Sequence, residues 1–384
     1  MKVICLVGII FIGTGFAQEK TIEQIMREEQ EALKQIQQET LDYQDQVAED
    51  MRLYQERISR EYEVYEAEQR RQLAEMEREI LRKWEEFRTD TREESVEYST
   101  DRNSRSSVNY KDGTVEVEVV TDAQDPQAKE KARSDIQKKL NDIAKRKDTE
   151  SQLKTSAGTK VSAANAESFA KETVKKREIK ATTYQARDGK KRVRYSVKVA
   201  MVPDHVKIRA KKFKNEVSKQ AKRFNIDPAV AMAVMHTESY FNPRARSHIP
   251  AYGLMQLVPK SGARDAYIYI YKKDRLLKAN YLYQPPNNIE LGCAYISKNR
   301  HQYFGGIKDD EKAYLCTICA YNTGPGNVAK ALTRTTSLKA AVQVVNQHDT
   351  NWLRRKLIRD LPYKETKDYL NRVNGRRAMY DGWM

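Results

Sequence analysis

Glycine and proline are scarce in this 384-residue chain, with 15 and 10 respectively, and neither occurs between Gln18 and Glu94. That stretch has nothing to break a helix and is rich in Glu, Gln and Arg, so residues 18–95 are expected to form one long helical, coiled-coil-like arm. Cysteine is scarcer still. Of four, Cys5 lies in the N-terminal apolar run, which leaves Cys293, Cys316 and Cys319. An odd number argues against a disulfide framework, although a bridge from Cys293 to Cys316 or Cys319 stays open. Cys316-Thr317-Ile318-Cys319 has C-x-x-C spacing, but it sits inside an apolar helical run, where packing is expected rather than redox chemistry. After His301 no second histidine follows at zinc-finger spacing, so no metal site is expected. Long hydrophobic runs are missing too. The one apolar run, Val3–Ile12, is too short to span a bilayer. Lys2 precedes it and Gly15-Phe16-Ala17 follows, which reads as a secretory signal over residues 1–17. Cys5 lies too early in that run to accept a lipid at the cleavage site. The expectation is an exported protein of the periplasm or cell envelope with no stable membrane anchor.

What is abundant is charge. Charged residues make up 32% of the chain, mean hydropathy is −0.82 and the formal net charge is +16. A chain this polar does not form one compact globule, so part of it must be solvated along most of its length. Residues 21–87 hold 19 acidic and 10 basic residues, a balance of −9, so the remainder carries +16 − (−9) = +25. A basic body points to an anionic polymer, either nucleic acid or a cell-wall glycan with its peptide carboxylates.

The apolar positions of the arm follow a 4-3-4 spacing, an eleven-residue repeat. Its columns are Val47, Ile58, Ile80, then Met51, Tyr62, Leu73, Trp84, then Tyr54, Tyr65, Met76, Phe87. Only Gln69 interrupts them. At about 3.67 residues per turn the stripe runs nearly straight, and it needs a cover, either a second copy or the next domain. Residues 20–90 are therefore the expected surface for self-association or for an envelope protein partner.

Residues 96–204 read as a small α+β domain. Ser107–Tyr110 and Thr114–Val120 flank the turn Lys111-Asp112-Gly113, and Thr182–Ala186 and Arg192–Met201 flank Arg187-Asp188-Gly189. A basic amphipathic helix over 125–146 lies between the two hairpins. Residues 205–384 read as helical throughout, including His205–Phe224 and Pro228–Ser239, the latter with Asp227 as N-cap and Pro228 as its first residue.

Four segments in this helical region stand out. The first runs from Ala231 through Glu238-Ser239-Tyr240-Phe241-Asn242-Pro243, with a carboxylate at the end of a strongly apolar helix. Apolar surroundings raise a carboxyl pKa, as a general acid at neutral pH requires. The second is Ser247 through Ala251-Tyr252-Gly253-Leu254-Met255-Gln256. The third is Ala320-Tyr321-Asn322-Thr323-Gly324-Pro325-Gly326, and the fourth Leu361-Pro362-Tyr363-Lys364-Glu365-Thr366-Lys367-Asp368-Tyr369. Each alone would pass as packing or a turn.

Taken together, the four resemble the catalytic domain of the soluble-lytic-transglycosylase (goose-lysozyme-like) superfamily. Its blocks E-S-x-F-N-P, a Ser nine residues after the Glu, G-L-M-Q, A-Y-N-x-G-x-G and P-x-E-T-x-x-Y occur here in order. The last has one extra residue between Pro362 and Glu365. The Ala-Tyr-Gly-Leu-Met-Gln form, with an α+β domain before it, is similar to the membrane-bound lytic murein transglycosylase C family. The chain departs from that family in lacking a lipobox cysteine and in carrying the long arm.

The resemblance implies a mainly α protein with a lysozyme-like helical catalytic domain, acting on peptidoglycan glycan strands without metal or cofactor. It implies that Glu238 is the single catalytic acid/base. Ser247 and Gln256 would hydrogen-bond acetamido or lactyl groups, and Met255 would pack against the sugar face. Tyr321 would orient the acid or the acetamido group, Asn322 would hold its loop, and Tyr369 would close the far side. His236, two residues before the acid, faces elsewhere on the helix and is read as packing. Two other functions stay open: a hydrolytic lysozyme-like muramidase, and a non-enzymatic envelope scaffold or glycan-binding protein. The export signal and the lack of a nucleic-acid motif argue against nucleic acid as partner.

Overall fold

The computed structural model describes residues 21–248 and 250–383. The expected signal over 1–17 lies outside the described residues. The chain divides into two compact units, residues 1–64 and 65–384.

Over its described residues the first unit is the N-terminal part of one helix, α1 (Ile22–Leu81). Thr21 and Gln24 start it with a reciprocal capping box: the Gln24 N–H donates to Thr21 Oγ1 at 3.3 Å and the Thr21 N–H to Gln24 Oε1 at 3.0 Å. Ion pairs of Arg52 with Glu49 and Glu56, and of Arg57 with Glu61, run along its surface. Each stabilises a helix by about 0.2–0.5 kcal/mol. Ile22, Ile25, Met26, Leu33, Ile36, Leu41, Tyr43, Val47 and Met51 are all exposed.

In the second unit the stripe is covered by the chain itself. Ile80 and Trp84 pack with Val96, Tyr98 and Val120, flanked by Met76, Phe87 and Tyr184. The helix ends at Leu81 rather than near Glu94. Composition alone would carry it on, but tertiary docking stops it. The Arg82 carbonyl accepts from the Asp188 N–H at 3.1 Å, and the Lys83 carbonyl from the Tyr184 hydroxyl. The Trp84 indole donates to the Arg102 carbonyl at 2.8 Å and lies under the Arg105 guanidinium.

Five antiparallel strands follow: β1 (Glu94–Tyr98), β2 (Ser104–Asn109), β3 (Thr114–Asp122), β4 (Lys180–Gln185) and β5 (Lys191–Ala200), in spatial order β1-β2-β3-β5-β4. Helices α2 (Ala128–Lys145) and α3 (Ala166–Lys176) cover one face, placing Ile136, Leu140 and Phe169 in a core with Val115, Val117, Val119, Val197 and Val199. This is the period-two face of β3 read from the sequence. The opposite face carries ions: Arg105 reaches Glu118 at 2.6 Å, and Arg88 reaches Glu118 at 3.3 Å and Glu116 at 3.4 Å. Strand β1 and helix α3 are elements that the sequence reading did not anticipate.

The rest is helical: α4 (His205–Phe224), α5 (Pro228–Ser239), α6 (Arg264–Tyr271), α7 (Ala279–Leu282), α8 (Pro285–Ser297), α9 (Asp310–Thr323), α10 (Pro325–Thr333), α11 (Leu338–Gln347), α12 (Thr350–Asp360) and α13 (Lys364–Arg377). Wider π-helical turns lead into α6 at Pro259–Ala263 and out of α8 at Lys298–Tyr303. The chain is mainly α, as expected. Helix α5 is central, with every residue from Ala229 to Ser239 buried, and Asp227 caps it by accepting from the Ala229 N–H at 2.7 Å. Cys293, Cys316 and Cys319 are all free and buried in the same core, which burial keeps protonated by pushing their pKa values up. Among the described residues no helix is long and apolar enough to cross a membrane.

Candidate active site

Helix α5 ends on Glu238, and how that end is satisfied shapes the site. The last carbonyls of a helix have no partner within it, and here arginines supply them. Arg376 donates to the His236 carbonyl at 3.2 Å. Arg92 donates to the Glu238 carbonyl at 3.2 Å and the Thr237 carbonyl at 3.5 Å. Tyr240 and Phe241 follow with φ of 51° and 62°, two successive left-handed residues that turn the chain sharply away. Within α5, His236 is buried against Phe241, and its Nδ1 meets the Tyr380 hydroxyl at 2.9 Å. Burial takes its pKa down to about 3, so it is a neutral packing residue.

The next loop is clamped to α5. Ser239 Oγ donates to the Leu254 carbonyl at 2.7 Å. Asn288 accepts from the Met255 N–H at 2.8 Å and donates to the carbonyls of Tyr252 and Leu282 at 2.9 and 2.8 Å. Gly253 has φ +77°, and a Cβ there would lie 2.5 Å from both Asn288 Nδ2 and the Leu282 carbonyl oxygen, so only glycine fits. From α9, the Tyr321 hydroxyl donates to the Met255 carbonyl at 2.8 Å. Asn322 accepts from the Thr366 hydroxyl at 2.7 Å, which joins α9 to α13.

These elements border a groove of about 1030 Å³ whose lining includes Glu238, Ser247, Gln256, Tyr321 and Asn322. Five of the seven residues singled out in the sequence therefore meet in one cleft. The other two do not line it. Met255 is fully buried, with its sulfur packed where a Cβ on Gly292 would otherwise sit, so it is core rather than a wall presented to a sugar. Tyr369 is also fully buried. Its hydroxyl has no hydrogen-bond partner of ordinary geometry, yet it lies near enough to interact with the Glu238 carboxyl. It backs the acid from behind.

The Glu238 side chain is only 8% exposed. Burial pushes its carboxyl above the ordinary carboxylate range; Arg92 and the Tyr369 hydroxyl pull it down, and Glu365 adds to the rise. Arg92 Nη2 lies 3.0 Å from Glu238 Oε2, and Nη1 lies 3.4 Å from Glu365 Oε1. The Arg92 pKa is raised despite a desolvation that acts to lower it, because Glu238, Tyr369 and Glu365 favour its charge. Gln256 is 92% buried and has φ +47°; its Nε2 donates to the carbonyls of Ala245 and Gly253, which leaves its enclosed Oε1 without a hydrogen-bond partner. Ser247 is half-buried, and its Oγ accepts from the Ala251 N–H at 3.2 Å.

The segment 89–93 also lines the groove, and no local signal in the sequence marks Arg92. The described lining holds Arg92, Lys111, Arg246 and Arg372 against Asp90, Glu93, Glu238 and Glu365, so the surplus positive charge of the body is not gathered here.

An apolar helix ending in a buried acid, backed by a clamped Gly-Leu-Met-Gln loop and an Ala-Tyr-Asn helix end, is also where known proteins match. Residues 215–344 match the Transglycosylase SLT domain. The chain is 36% identical over 184 residues to membrane-bound lytic murein transglycosylase C of Haemophilus ducreyi, covering 48% of this chain and 49% of that protein. It is 34% identical over 199 residues to the protein of that name from Sodalis glossinidius, covering 52% and 55%. The chain thus spans about half the length of these relatives. Among solved structures, an inactive mutant of lytic transglycosylase Slt from Pseudomonas aeruginosa aligns with 28% identity and a TM-score of 0.33, over 43% of this chain and 23% of that one. The SLT match contains Glu238, Ser247, Gln256, Tyr321 and Asn322; Arg92, Glu365 and Tyr369 lie outside it.

Proposed function

We propose that the protein is a peptidoglycan lytic transglycosylase with Glu238 as its acid/base. The observation that carries this reading is one enclosed carboxyl, biased toward its protonated form, at the edge of a groove of about 1030 Å³. Protonated Glu238 would give its proton to the bridging oxygen of the MurNAc-GlcNAc β-1,4 bond. The 2-acetamido group of the muramic acid would stabilise the positive carbon. Glu238, now charged, would take the proton from the 6-hydroxyl, whose oxygen closes on that carbon to give a 1,6-anhydro end. One carboxylate serves both steps because the nucleophiles belong to the substrate, unlike the two-carboxylate glycosidases. Gln256 and Ser247, which both line the groove, would hydrogen-bond the acetamido or lactyl groups of the sugar. Tyr321 holds the Gln256 loop through Met255, Asn322 ties α9 to α13, and Tyr369 stands behind the acid. On this reading residues 205–384 are the catalytic domain and the protein works outside the cytoplasm, in the envelope. The exposed part of the stripe, residues 22–53, would be a surface for self-association or for an envelope protein.

Mass spectrometry of digested cell wall tests the reaction. Wild-type protein should release anhydro-muropeptides, and Glu238→Gln should lower that release by about a thousandfold, in the range of a lost general acid, with its circular dichroism unchanged. Hydrated muropeptides alone would mean a hydrolytic muramidase, and full activity of Glu238→Gln would exclude both enzymes.

A further inference from the structure

Arg92 lies in the strap between α1 and β1, 146 residues before the acid it touches. Several bonds fix the strap. The Thr91 N–H donates to the Glu94 carbonyl at 2.8 Å, and the Arg246 N–H donates to the Thr91 carbonyl at 3.3 Å. Asp90 accepts from the Val96 N–H at 2.8 Å and pairs with Arg244 at 3.5 Å. Arg88 anchors the near end in the carboxylates of β1 and β3. A guanidinium held this way presents a planar fork at a fixed place. One edge of the fork, Nε and Nη2, spans the Glu238 carboxylate and the last carbonyls of α5, while Nη1 faces Glu365.

We propose that Arg92 is a positioning residue for the groove acid: from the strap it holds the Glu238 carboxylate against the end of α5, and so sets the pH range over which that acid works. The inference rests on Glu238 being the acid. The charged and titratable groups around Glu238 are Arg92 on the strap, Glu365, Tyr369 and Arg372 on α13, and Tyr321 on α9. Of these, Arg92 alone makes an ion pair with it among the described residues. After the first proton transfer the new carboxylate is formed beside a fixed positive charge, which favours that step. The same charge lowers the pH at which the free acid loses its proton. An isolated lysozyme-like domain would lack this contact, since the strap belongs to the sheet side of the chain.

The test is the pH profile of kcat/KM for anhydro-muropeptide release by wild type, Arg92→Gln and Arg92→Lys, with folding followed by circular dichroism. A reaction needing protonated Glu238 falls on the alkaline side. Loss of an opposite charge within hydrogen-bond distance should move that limb up by about one pH unit, with a plateau at least tenfold lower. Lysine keeps the charge but not the fork, so its limb should move less and its plateau recover in part. A folded Arg92→Gln protein with the wild-type limb overturns the proposal. If Arg92→Gln does not fold, Arg92→Lys matching wild type in both limb and plateau overturns it. Glu238→Gln run alongside separates the two ideas. An active Glu238→Gln removes the acid itself, whereas an inactive one beside an unmoved Arg92→Gln limb removes only the role of Arg92.

Discussion

Helix α5 and the first half of α1 are both regular helices, yet they exist for opposite reasons. In α5 every residue from Ala229 to Ser239 is buried, and alanine, valine and methionine face the core on all sides. Its helical form follows from its surroundings, since a helix apolar all round is stable only inside a protein. Residues 22–53 of α1 bury almost nothing, and their helix rests on strong helix formers, a capping box and spaced charge pairs. A carboxyl placed at the end of the first kind of helix is shut off from water and has its pKa raised. The many carboxyls on the second kind stand exposed on its surface. Identical secondary structure therefore encloses a carboxyl in one place and leaves an apolar stripe exposed in the other.

The sharpest way to break this contrast is a matched pair of truncations. Met232→Ala, in the centre of α5, should cost about 2–5 kcal/mol through lost burial and the cavity left behind, read as a lower denaturation midpoint. Acid should come next. His236 and His205 have pKa values lowered to about 3 and about 4, mainly by burial. Arg209 Nη1 meets His205 Nδ1 at 3.0 Å, and a guanidinium can only donate, so that nitrogen must stay unprotonated. A histidine with a lowered folded-state pKa adds stability above its unfolded value, near 6.5, and loses it as the pH falls toward the folded value. The Tm of the body should therefore drop between pH 6.5 and 4. The smallest effect should come from the arm. Met51→Ala should change stability by less than about 0.5 kcal/mol. Ile36→Glu should leave Tm alone but weaken any concentration-dependent association in sedimentation equilibrium; an unchanged mass would remove self-association as the role of the stripe.

The contrast also shows why some features could be read from the sequence and others could not. Asp227-Pro228 carries a local capping signal, and α5 begins where that signal says. The mainly α architecture follows from such local cues. The spacing of Glu238, Ser247, Gln256, Tyr321 and Asn322 is also linear information, and these five residues do line one groove. What failed depends on distance in space. Met255 and Gln256 are adjacent in sequence, yet the left-handed turn at Gln256 sends one side chain into the core and the other to the groove. The end of α1 is imposed by a hairpin about a hundred residues later, through Tyr184 and Asp188. Strand β1 is short and alternates polar residues, and it becomes a strand by pairing with β2. Arg92 looks like one more arginine among many until the fold sets it beside the acid.

The three sulfhydryls in the helical core have a practical use that follows from their enclosure. Cys293 and the Cys316/Cys319 pair can meet a water-borne alkylating reagent only when the bundle opens, so their labelling rate counts openings directly, with no added probe. Because they sit on the two helices α8 and α9, mass-resolved labelling would also tell whether those helices part together or one at a time.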